Sequence, residues 1–300
     1  MKSFAFLIIL VLFFALNHTS HDSEPSFTEK NREDLPIPSD WPKWQHALDE
    51  NRLDSIKIHL INKKPTFTYQ SKIGGIPYWP KDHPYPVDKK GNPLFFLAQI
   101  NFSEIIESPE GYPKTGLLQF FISNDDLYGL EPLDKKNTLE DYLNSKKNFA
   151  VIYHKNINET STSLDRAILS SINDDLLPIW GESAIGFSLS SDVATPADYR
   201  FAKITSFLGV PTNEIRNYAY DTLWSSPAHK IGGYASFTQN DPRQFYAPDD
   251  NWLLLFQLDT DSNEHINIMW GDSGIGNFFI QPKDLENLNF ENVWYNWDCF

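Results

Sequence analysis

Lys72-Ile73-Gly74-Gly75 recurs 158 residues later as Lys230-Ile231-Gly232-Gly233, and this repeat is the strongest sequence signal of the architecture. The apolar run of residues 94–100, which holds Gln99, recurs at the same offset as residues 252–258, which hold Gln257. A constant offset through separate blocks of sequence predicts an internal duplication. The other matches at this offset are Pro84 with Pro242, Gly116 with Gly274, residues 120–122 with 278–280, and residues 126–127 with 284–285.

Each copy has the same order of elements. A Gly-Gly pair allows a turn with positive φ, and an apolar run long enough for a strand buried on both faces follows a Pro-containing loop. A second strand then follows a glycine, over residues 117–122 and 276–280. The pattern predicts an α+β fold, mainly β, in which two duplicated antiparallel-sheet halves form one compact pseudo-twofold domain with a few peripheral helices.

The remaining elements are predicted between and before the copies. Residues 149–153 and 184–189 are expected to form strands, and residues 137–144 and 211–224 to form helices. Thr212 is placed to cap the second of these helices. Before the first copy, residues 42–65 are predicted to be a helical extension that Asp40 can cap and that holds Pro42 in its first turn.

The N-terminus is typical of an export signal. Lys2 precedes an apolar run over residues 4–16, and a polar stretch follows. Because the run is shorter than the ~20 residues that span a bilayer, residues 1–20 are interpreted as a signal peptide, with an uncleaved membrane tether through residues 4–16 left open. The sequence therefore predicts export to the periplasm or cell envelope.

The predicted order of domains follows from these segments. Residues 21–41 are polar and are expected to be a flexible linker. The helical extension comes next, then the first half with a connecting insert over residues 66–223, and then the second half over residues 224–300.

Composition limits the classes of function. The chain has 25 Lys and Arg against 40 Asp and Glu, so the formal net charge is −15. This balance disfavours nucleic acid as a partner and favours neutral or cationic ones. Cys299 is the single cysteine, and the eight histidines form no metal-binding pair in sequence. We therefore predict no metal and no cofactor.

Gln99 and Gln257 are the most informative polar residues, because each interrupts a buried apolar run. A buried amide must be hydrogen-bonded or it costs about 1–3 kcal/mol. One interpretation is that each amide ties loop backbone to the sheet. The alternative is that the two amides line a shared groove that contacts a peptide or ligand. The expected neighbours in that groove are Tyr78, Trp79, His229, Gln239, Trp270 and Asp272.

Two motifs have a local explanation. Gly271-Asp272-Ser273-Gly274 has the residue order found around a protease nucleophile, but His229 lies only 44 residues earlier, and we interpret the segment as a turn before the last strand. Asp259, Asp261 and Asn263 match the start of a calcium loop. Glu264 and Trp270 stand where that loop needs glycine and glutamate, so an acidic hairpin is expected instead.

Five blocks of the sequence occur in a fixed order: residues 74–80, 96–100, 116–121, 229–233 and 270–274. Together they resemble the YwqG family of bacterial proteins of unknown function. The match runs from about residue 66 to the C-terminus, and the resemblance implies a compact, mostly β fold with two related halves. A more distant resemblance is to the programmed-cell-death-2-type ribosomal-protein chaperones, which shield a client protein but carry Cys-rich elements absent here.

These observations predict a non-enzymatic factor that binds a protein or peptide client, of the chaperone, inhibitor or immunity type. The alternative is a hydrolase that uses His229 and Asp272, together with Asp284, in a cleft between the repeats. A passive structural component of the envelope is the third interpretation. The oligomeric state and the identity of the client are not predicted.

Overall fold

The elements of the chain form one mainly β structure in a computed structural model. It describes residues 35–81, 83–131, 133, 138–144, 147–158, 177–224 and 228–300. Within these residues there are twelve strands and six helices. The described residues from Ile37 onward belong to a single compact unit.

The helices are short and lie between the strands. Six are α-helical: α1 (Trp41–Asp49), α2 (Leu139–Asn144), α3 (Arg200–Ile204), α4 (Asn213–Leu223), α5 (Arg243–Tyr246) and α6 (Pro282–Glu286). Two further turns, Phe102–Glu104 and Ser206–Leu208, are 3₁₀ helices. Because the longest helix has 11 residues, the helices cover the sheet rather than form a layer of their own.

The strands carry the architecture. They are β1 (Leu53–Ile61), β2 (Lys72–Gly74), β3 (Phe95–Asn101), β4 (Leu117–Ile122), β5 (Phe149–His154), β6 (Ile179–Asp192), β7 (Lys230–Gly232), β8 (Leu253–Asp259), β9 (Asp261–Ser262), β10 (Ile266–Ile268), β11 (Ile275–Ile280) and β12 (Trp294–Asp298). All pairs are antiparallel, and β9 and β10 form a hairpin that joins the sheet through β6.

The strand order is symmetric about the central pair. It runs β12-β11-β8-β7-β1-β6-β2-β3-β4-β5, and the sheet is nearly closed into a barrel. β1 pairs with β7 of the second half, whereas β6 pairs with β2 of the first half. The second half therefore pairs with β1, which precedes the first half in sequence. The first half pairs with β6, which precedes the second half.

The two halves match strand by strand. β7, β8 and β11 begin and end at the repeat counterparts of the first and last residues of β2, β3 and β4. The bulge between β3 and β4 lies beside Leu97, and the bulge between β8 and β11 lies beside its counterpart Leu255. The repeated blocks of sequence therefore have the same strand bounds, the same order of partners and the same bulge position.

The Gly-Gly pairs need glycine for two reasons. Gly75 and Gly233 have φ of +74° and +73°, which other residues rarely adopt. A Cβ would also lie 2.2 Å from Glu182 Oε2 at Gly75 and 2.3 Å from Asp192 Oδ2 at Gly233. In each half a carboxylate side chain of β6 therefore packs directly on the glycine backbone.

The main core lies between the halves. Phe120 of β4 contacts Phe256 and Phe278 with ring centroids 4.4 and 4.9 Å apart. Phe278 is the counterpart of Phe120, so two equivalent rings meet in the interior. Such aromatic contacts add to the burial of apolar area that drives folding. A smaller core joins α1, α3 and α4 through Trp41, Trp44, Phe201 and Ile215.

The helical extension predicted over residues 42–65 is partly wrong. α1 occupies its first part, but Leu53–Ile61 is the nine-residue strand β1. Ile56 and Ile58 are buried while Lys57 and His59 are exposed, so this segment alternates with a period of two. Asp40 precedes α1 without a capping bond from its side chain, which instead accepts a hydrogen bond from Lys43.

Most of the other predicted elements are confirmed. α2, α4 and β5 lie within one to two residues of their predicted bounds, and Thr212 caps α4 by accepting a hydrogen bond from Ile215 N–H at 3.2 Å. β6 is longer than predicted, because 14 residues pair with β1, β2 and β10. The segment before β11 does not precede the last strand, since β12 follows.

The predicted signal segment and most of the predicted linker lie outside the described residues, so their interpretation stays a prediction. In the part of the chain that the structure describes, no helix has the length and apolar character needed to cross a membrane.

Candidate functional site

Gln99 fixes a loop onto the first half of the sheet. Its Oε1 accepts a hydrogen bond from Tyr78 N–H at 3.0 Å, and its Nε2 donates to the carbonyl oxygens of Thr68 and Gln70, both at 2.7 Å. Gln119 on the neighbouring strand donates to the carbonyl oxygen of Tyr78 at 2.7 Å. Two buried amides thus hold both backbone groups of one loop residue.

Gln257 makes the same arrangement in the second half. Its Oε1 accepts from Ser236 N–H at 2.7 Å, and its Nε2 donates to the carbonyl oxygen of Ala228. Asn277 donates to the carbonyl oxygen of Ser236 at 2.9 Å. Ser236 is the repeat counterpart of Tyr78, so each half clamps the equivalent loop residue with two amides.

The clamps point away from the core between the halves. Side chains alternate along a strand, and Ala98 and Ile100 on either side of Gln99 belong to that core. Both glutamines are fully buried and bonded within their own half. The structure therefore supports the interpretation in which each amide ties loop backbone to the sheet, and it does not bring the two amides together.

Tyr78 and Trp79 pack around a histidine that the sequence patterns did not single out. His154 Nε2 lies 2.8 Å from Gln119 Oε1, and the His154 ring contacts the rings of Tyr78, Trp79 and His83. Burial, reinforced by His83, lowers the pKa of His154 to about 4. Because Gln119 uses its amide nitrogen on Tyr78, His154 donates and stays neutral.

His229 has both ring nitrogens engaged. Nδ1 accepts the backbone N–H of Asp259 at 3.0 Å, so Nε2 carries the proton and lies 3.1 Å from Asp261 Oδ2. Burial raises the pKa of Asp261, but the hydrogen bonds from His229 and from the backbone N–H of Ser262 together outweigh it, and the pKa is lowered. His229 is buried, and with both ring nitrogens hydrogen-bonded it serves to tie β9 to the start of β7.

Trp270 and Asp272 belong to a tight turn. Gly271 and Ser273 have φ of +52° and +57°, and Gly274 N–H donates to the carbonyl oxygen of Trp270 at 2.7 Å. Trp270 is fully buried, whereas Asp272 is exposed and its carbonyl oxygen accepts from Phe300 N–H. The turn interpretation of this segment is confirmed, and Asp261, not Asp272, is the carboxylate on His229.

Gln239 is exposed and belongs to a different part of the surface. Its backbone N–H donates to Asp298 Oδ2 at 2.8 Å, and its Nε2 donates to the carbonyl oxygen of Cys299 at 2.7 Å. Gln239 also lines a groove of about 600 Å³ next to α3, α4 and α5. This is the one residue of the predicted set that lines this groove.

A buried ion network forms the base of the groove. Arg243 is fully buried and binds Asp241 with two hydrogen bonds of 2.9 and 2.7 Å and Asp198 with one of 2.9 Å. Arg200 binds Asp198 with two more, of 2.9 and 2.7 Å. Two arginines and two aspartates cancel in charge, which satisfies the requirement that buried charges be paired.

The network favours the charged forms of Asp198 and Arg243. Burial alone would raise the pKa of Asp198, but the Arg243 and Arg200 charges outweigh it and hold the pKa well below its ordinary value. The same carboxylates hold the pKa of Arg243 above its ordinary value. A carboxylate whose pKa lies well below its ordinary value is a poor general acid and a weak general base near neutral pH, because catalysis is most efficient when the pKa lies near the working pH. The network therefore gives the groove a rigid floor rather than a group that transfers protons.

The rim of the groove is apolar and exposed. Val210 is 88% exposed and Tyr220 is 37% exposed, and both line the groove. Phe207 and Phe245, which are 74% and 59% exposed, lie on the adjoining 3₁₀ helix and on α5. The polar lining includes Arg216, Tyr199 and Gln244. Exposed apolar side chains that rim a groove are typical of surfaces that bind another protein.

A short sequence signal could have located this network. Asp198-Tyr199-Arg200 and Asp241-Pro242-Arg243 both have the form Asp-x-Arg, and both supply a bidentate pair. Their convergence could not be predicted, because 41 residues separate Arg200 from Asp241.

The described residues contain no group of three His, Cys, Asp or Glu side chains that could hold a metal ion. At the candidate calcium loop, Asp259 accepts from Ala228 N–H and Asn263 accepts from the N–H groups of His265 and Ile266. The Asn263 bonds stabilise the hairpin of β9 and β10, and the Asp259 bond holds the segment before β7 against β8.

Comparison with family models gives a match over most of the chain. Residues 71–299 match the sequence model of a family described as a domain of unknown function, DUF1963. A search of curated proteins finds no match.

Proposed function

We propose that this chain, which belongs to the DUF1963 family of domains of unknown function, is a non-enzymatic protein that binds a peptide segment of a protein partner. The bound segment lies in the groove between α4 and α5. The observation that carries the proposal is an exposed apolar rim over a rigid, charge-neutral ion network. This combination offers binding area without a free catalytic group.

The size and shape of the groove fit this role. A volume of about 600 Å³ lies within the range of pockets that take a few side chains of a partner. Val210 and Tyr220 would contact apolar side chains, while Gln239 and Gln244 offer amides for backbone groups. The formal charge of −15 favours a partner segment flanked by basic residues, because opposite charge speeds encounter.

A rim variant tests the proposal. Full-length protein and the Val210→Glu variant are used to capture partners from native extracts, and the captured proteins are quantified by mass spectrometry. We expect at least one stoichiometric partner whose recovery falls about tenfold or more in the variant, since a charge is placed against its apolar contact.

Ile106→Glu is the matched control, because Ile106 is 99% exposed and lies outside the groove. The partner should be recovered with this variant as with the unaltered protein. Equal recovery with Val210→Glu and with Ile106→Glu would contradict the proposal.

The hydrolase alternative has no observation in its favour. His229 is buried and bonded at both nitrogens, and Asp272 is exposed on a separate turn. Asp284 accepts hydrogen bonds from the amides of Asn289 and Asn292 after α6. We therefore retain the binding role.

Three narrower statements belong with this proposal. The matching strands and clamps support an internal duplication as the origin of the two halves. The five sequence blocks support placement in the YwqG-like group and, within the binding role, a chaperone, inhibitor or immunity factor. The apolar run of residues 4–16 supports export to the cell envelope.

A further inference from the structure

The two carboxylates in the floor of the groove between α4 and α5 are saturated with hydrogen bonds. Asp241 Oδ1 accepts two from Arg243, and its Oδ2 accepts one from Arg243 and one from Tyr199 N–H. Asp198 Oδ1 accepts two from Arg200, and its Oδ2 accepts from Arg200 and Arg243. Because a carboxylate oxygen has two lone pairs, neither aspartate has acceptor capacity left for a cationic ligand.

Arg216 of α4 is exposed and lines the same groove without a carboxylate partner. Among the described residues, arginine ion pairs are made by Arg52, Arg200 and Arg243, and Arg216 makes none. Positions three and four residues away on a helix could supply a partner. In this chain they hold uncharged residues: Thr212, Asn213, Ala219 and Tyr220.

The acidic residues of α4 lie on its other side. At 3.6 residues per turn, Glu214 and Asp221 are about 140–160° around the helix axis from Arg216. Tyr220 is one turn from Arg216 and also lines the groove. Burial raises the pKa of Tyr220, and the Arg216 charge opposes this rise. The guanidinium group and the tyrosine ring therefore lie together on the groove side of α4.

The groove thus differs in charge from the chain as a whole. Its charged lining residues are Asp198, Asp241 and Arg216. The buried network cancels the two aspartates, so Arg216 leaves the groove with one positive charge on a chain whose formal net charge is −15. An uncompensated guanidinium beside an apolar rim is complementary to a carboxylate beside an apolar side chain.

We propose that the peptide segment bound in the groove presents a carboxylate to Arg216 and an apolar side chain to Val210. The carboxylate is that of an aspartate or glutamate side chain, or the C-terminus of the segment, since both pair with a guanidinium in the same bidentate way. This selection of an acidic group rests on the proposed function, because it uses the same groove as the peptide site. Basic residues that flank the segment would lie outside the groove.

An array of synthetic peptides tests the proposal on the full-length protein. Each peptide has about ten residues of varied sequence and is made with a free C-terminus and as its C-terminal amide. We expect the peptides that bind to share an acidic group at a fixed spacing from an apolar residue. Neutralising that group should weaken binding, measured by fluorescence anisotropy, about tenfold or more. Loss on C-terminal amidation identifies the terminal carboxylate, and loss on replacing Asp by Asn or Glu by Gln identifies a side chain.

Three variants locate the selection of an acidic group. Arg216→Gln should weaken an acidic peptide about tenfold or more and leave its neutral counterpart unchanged, so that the two peptides then bind alike. Arg216→Glu should instead select peptides with a lysine or arginine at the same spacing. Arg52→Gln, at an exposed arginine outside the groove, is the matched control and should bind like the unaltered protein.

Val210→Glu separates this selection from the proposed function. Peptides whose binding Val210→Glu weakens, but which show no acidic preference or keep that preference in Arg216→Gln, would overturn the selection alone. If no peptide binds, or if Val210→Glu leaves the binding of every peptide unchanged, the proposed function and the selection are both overturned.

Discussion

His154 and Asp298 occupy equivalent places at the ends of the two outer strands. His154 pairs in register with Leu117, and Asp298 pairs with Ile275, which is the repeat counterpart of Leu117. Burial shifts both groups towards their neutral forms, lowering the pKa of His154 to about 4 and raising the pKa of Asp298 to about 6. At this equivalent position, one half therefore has a histidine with a lowered pKa and the other half has an aspartate with a raised pKa.

The His154→Gln variant should be less sensitive to acid. Since the unfolded chain binds a proton near pH 6.5 and the folded chain only near pH 4, His154 removes stability as pH falls through this range. Glutamine keeps a donor for Gln119 and cannot titrate. Urea unfolding at about pH 7 and about pH 4.5 should show a smaller loss in the variant, with His59→Gln as the exposed control. An equal loss in all three proteins would contradict the assignment.

Asp298→Asn should act in the opposite direction. Because the folded pKa of about 6 lies above the ordinary value of 3.8, the folded state holds the extra proton, and stability falls as pH rises through this interval. Asparagine removes the charge that must be desolvated. Relative to the unaltered protein, the variant should gain stability between about pH 4 and about pH 7. A parallel pH profile for the two proteins would show that Asp298 does not titrate in this range.

Gln99→Leu and Gln257→Leu should both destabilise the protein, and Gln99→Leu should cost more, because Gln99 bonds three loop backbone groups and Gln257 bonds two. Each removes an amide that bonds loop backbone, and each buried group left unpaired costs about 1–3 kcal/mol. The free energy of unfolding from urea titration measures the loss. Gln45→Leu, at a half-exposed position of α1, should change it by less than about 0.5 kcal/mol. A loss confined to one of the two glutamines would contradict the equivalence of the clamps.

Arg243→Met should be among the most destabilising substitutions. It removes the fully buried partner of both Asp241 and Asp198. Breaking a buried ion pair from one side costs about 3–5 kcal/mol. Arg216→Met, on the exposed lining of the groove, is the matched control and should have little effect. Adding Asp241→Asn to Arg243→Met should recover part of the loss, because one uncompensated charge is then removed. No recovery in the double variant would argue against the network as described.

The strands of the repeated blocks could be predicted from the sequence because the repeat itself constrains them. Both copies have an apolar run that holds one glutamine, and both have glycines at the same offset. These shared features predict the same strands in each copy. β1 could not be recognised so easily, because Trp44, Ala47 and Leu48 continue a helical spacing into it. Its strand character depends on pairing with β6 and β7, which are distant in sequence.

The groove could not be predicted from the sequence, for a different reason. Val210 and Phe245 stand near other apolar residues in the sequence, which gives no sign that they are exposed, and their exposure is known only from the fold. The two Asp-x-Arg segments are a local sequence signal, but nothing in the sequence indicates that they meet or that they are buried. His229 shows the converse, since its position in a conspicuous motif indicated a site, whereas its hydrogen bonds to Asp259 and Asp261 account for both of its nitrogens.

Site-specific photo-crosslinking in the native cell tests the binding role most directly. A photoreactive amino acid is placed at Val210 in the groove or at Ile106 outside it, and the crosslinked products are identified by mass spectrometry. The account predicts a discrete protein adduct at position 210 that is absent at position 106, joined through a segment with apolar and basic residues. Identical adducts at both positions, or none at position 210 with the protein at its natural level, would contradict it.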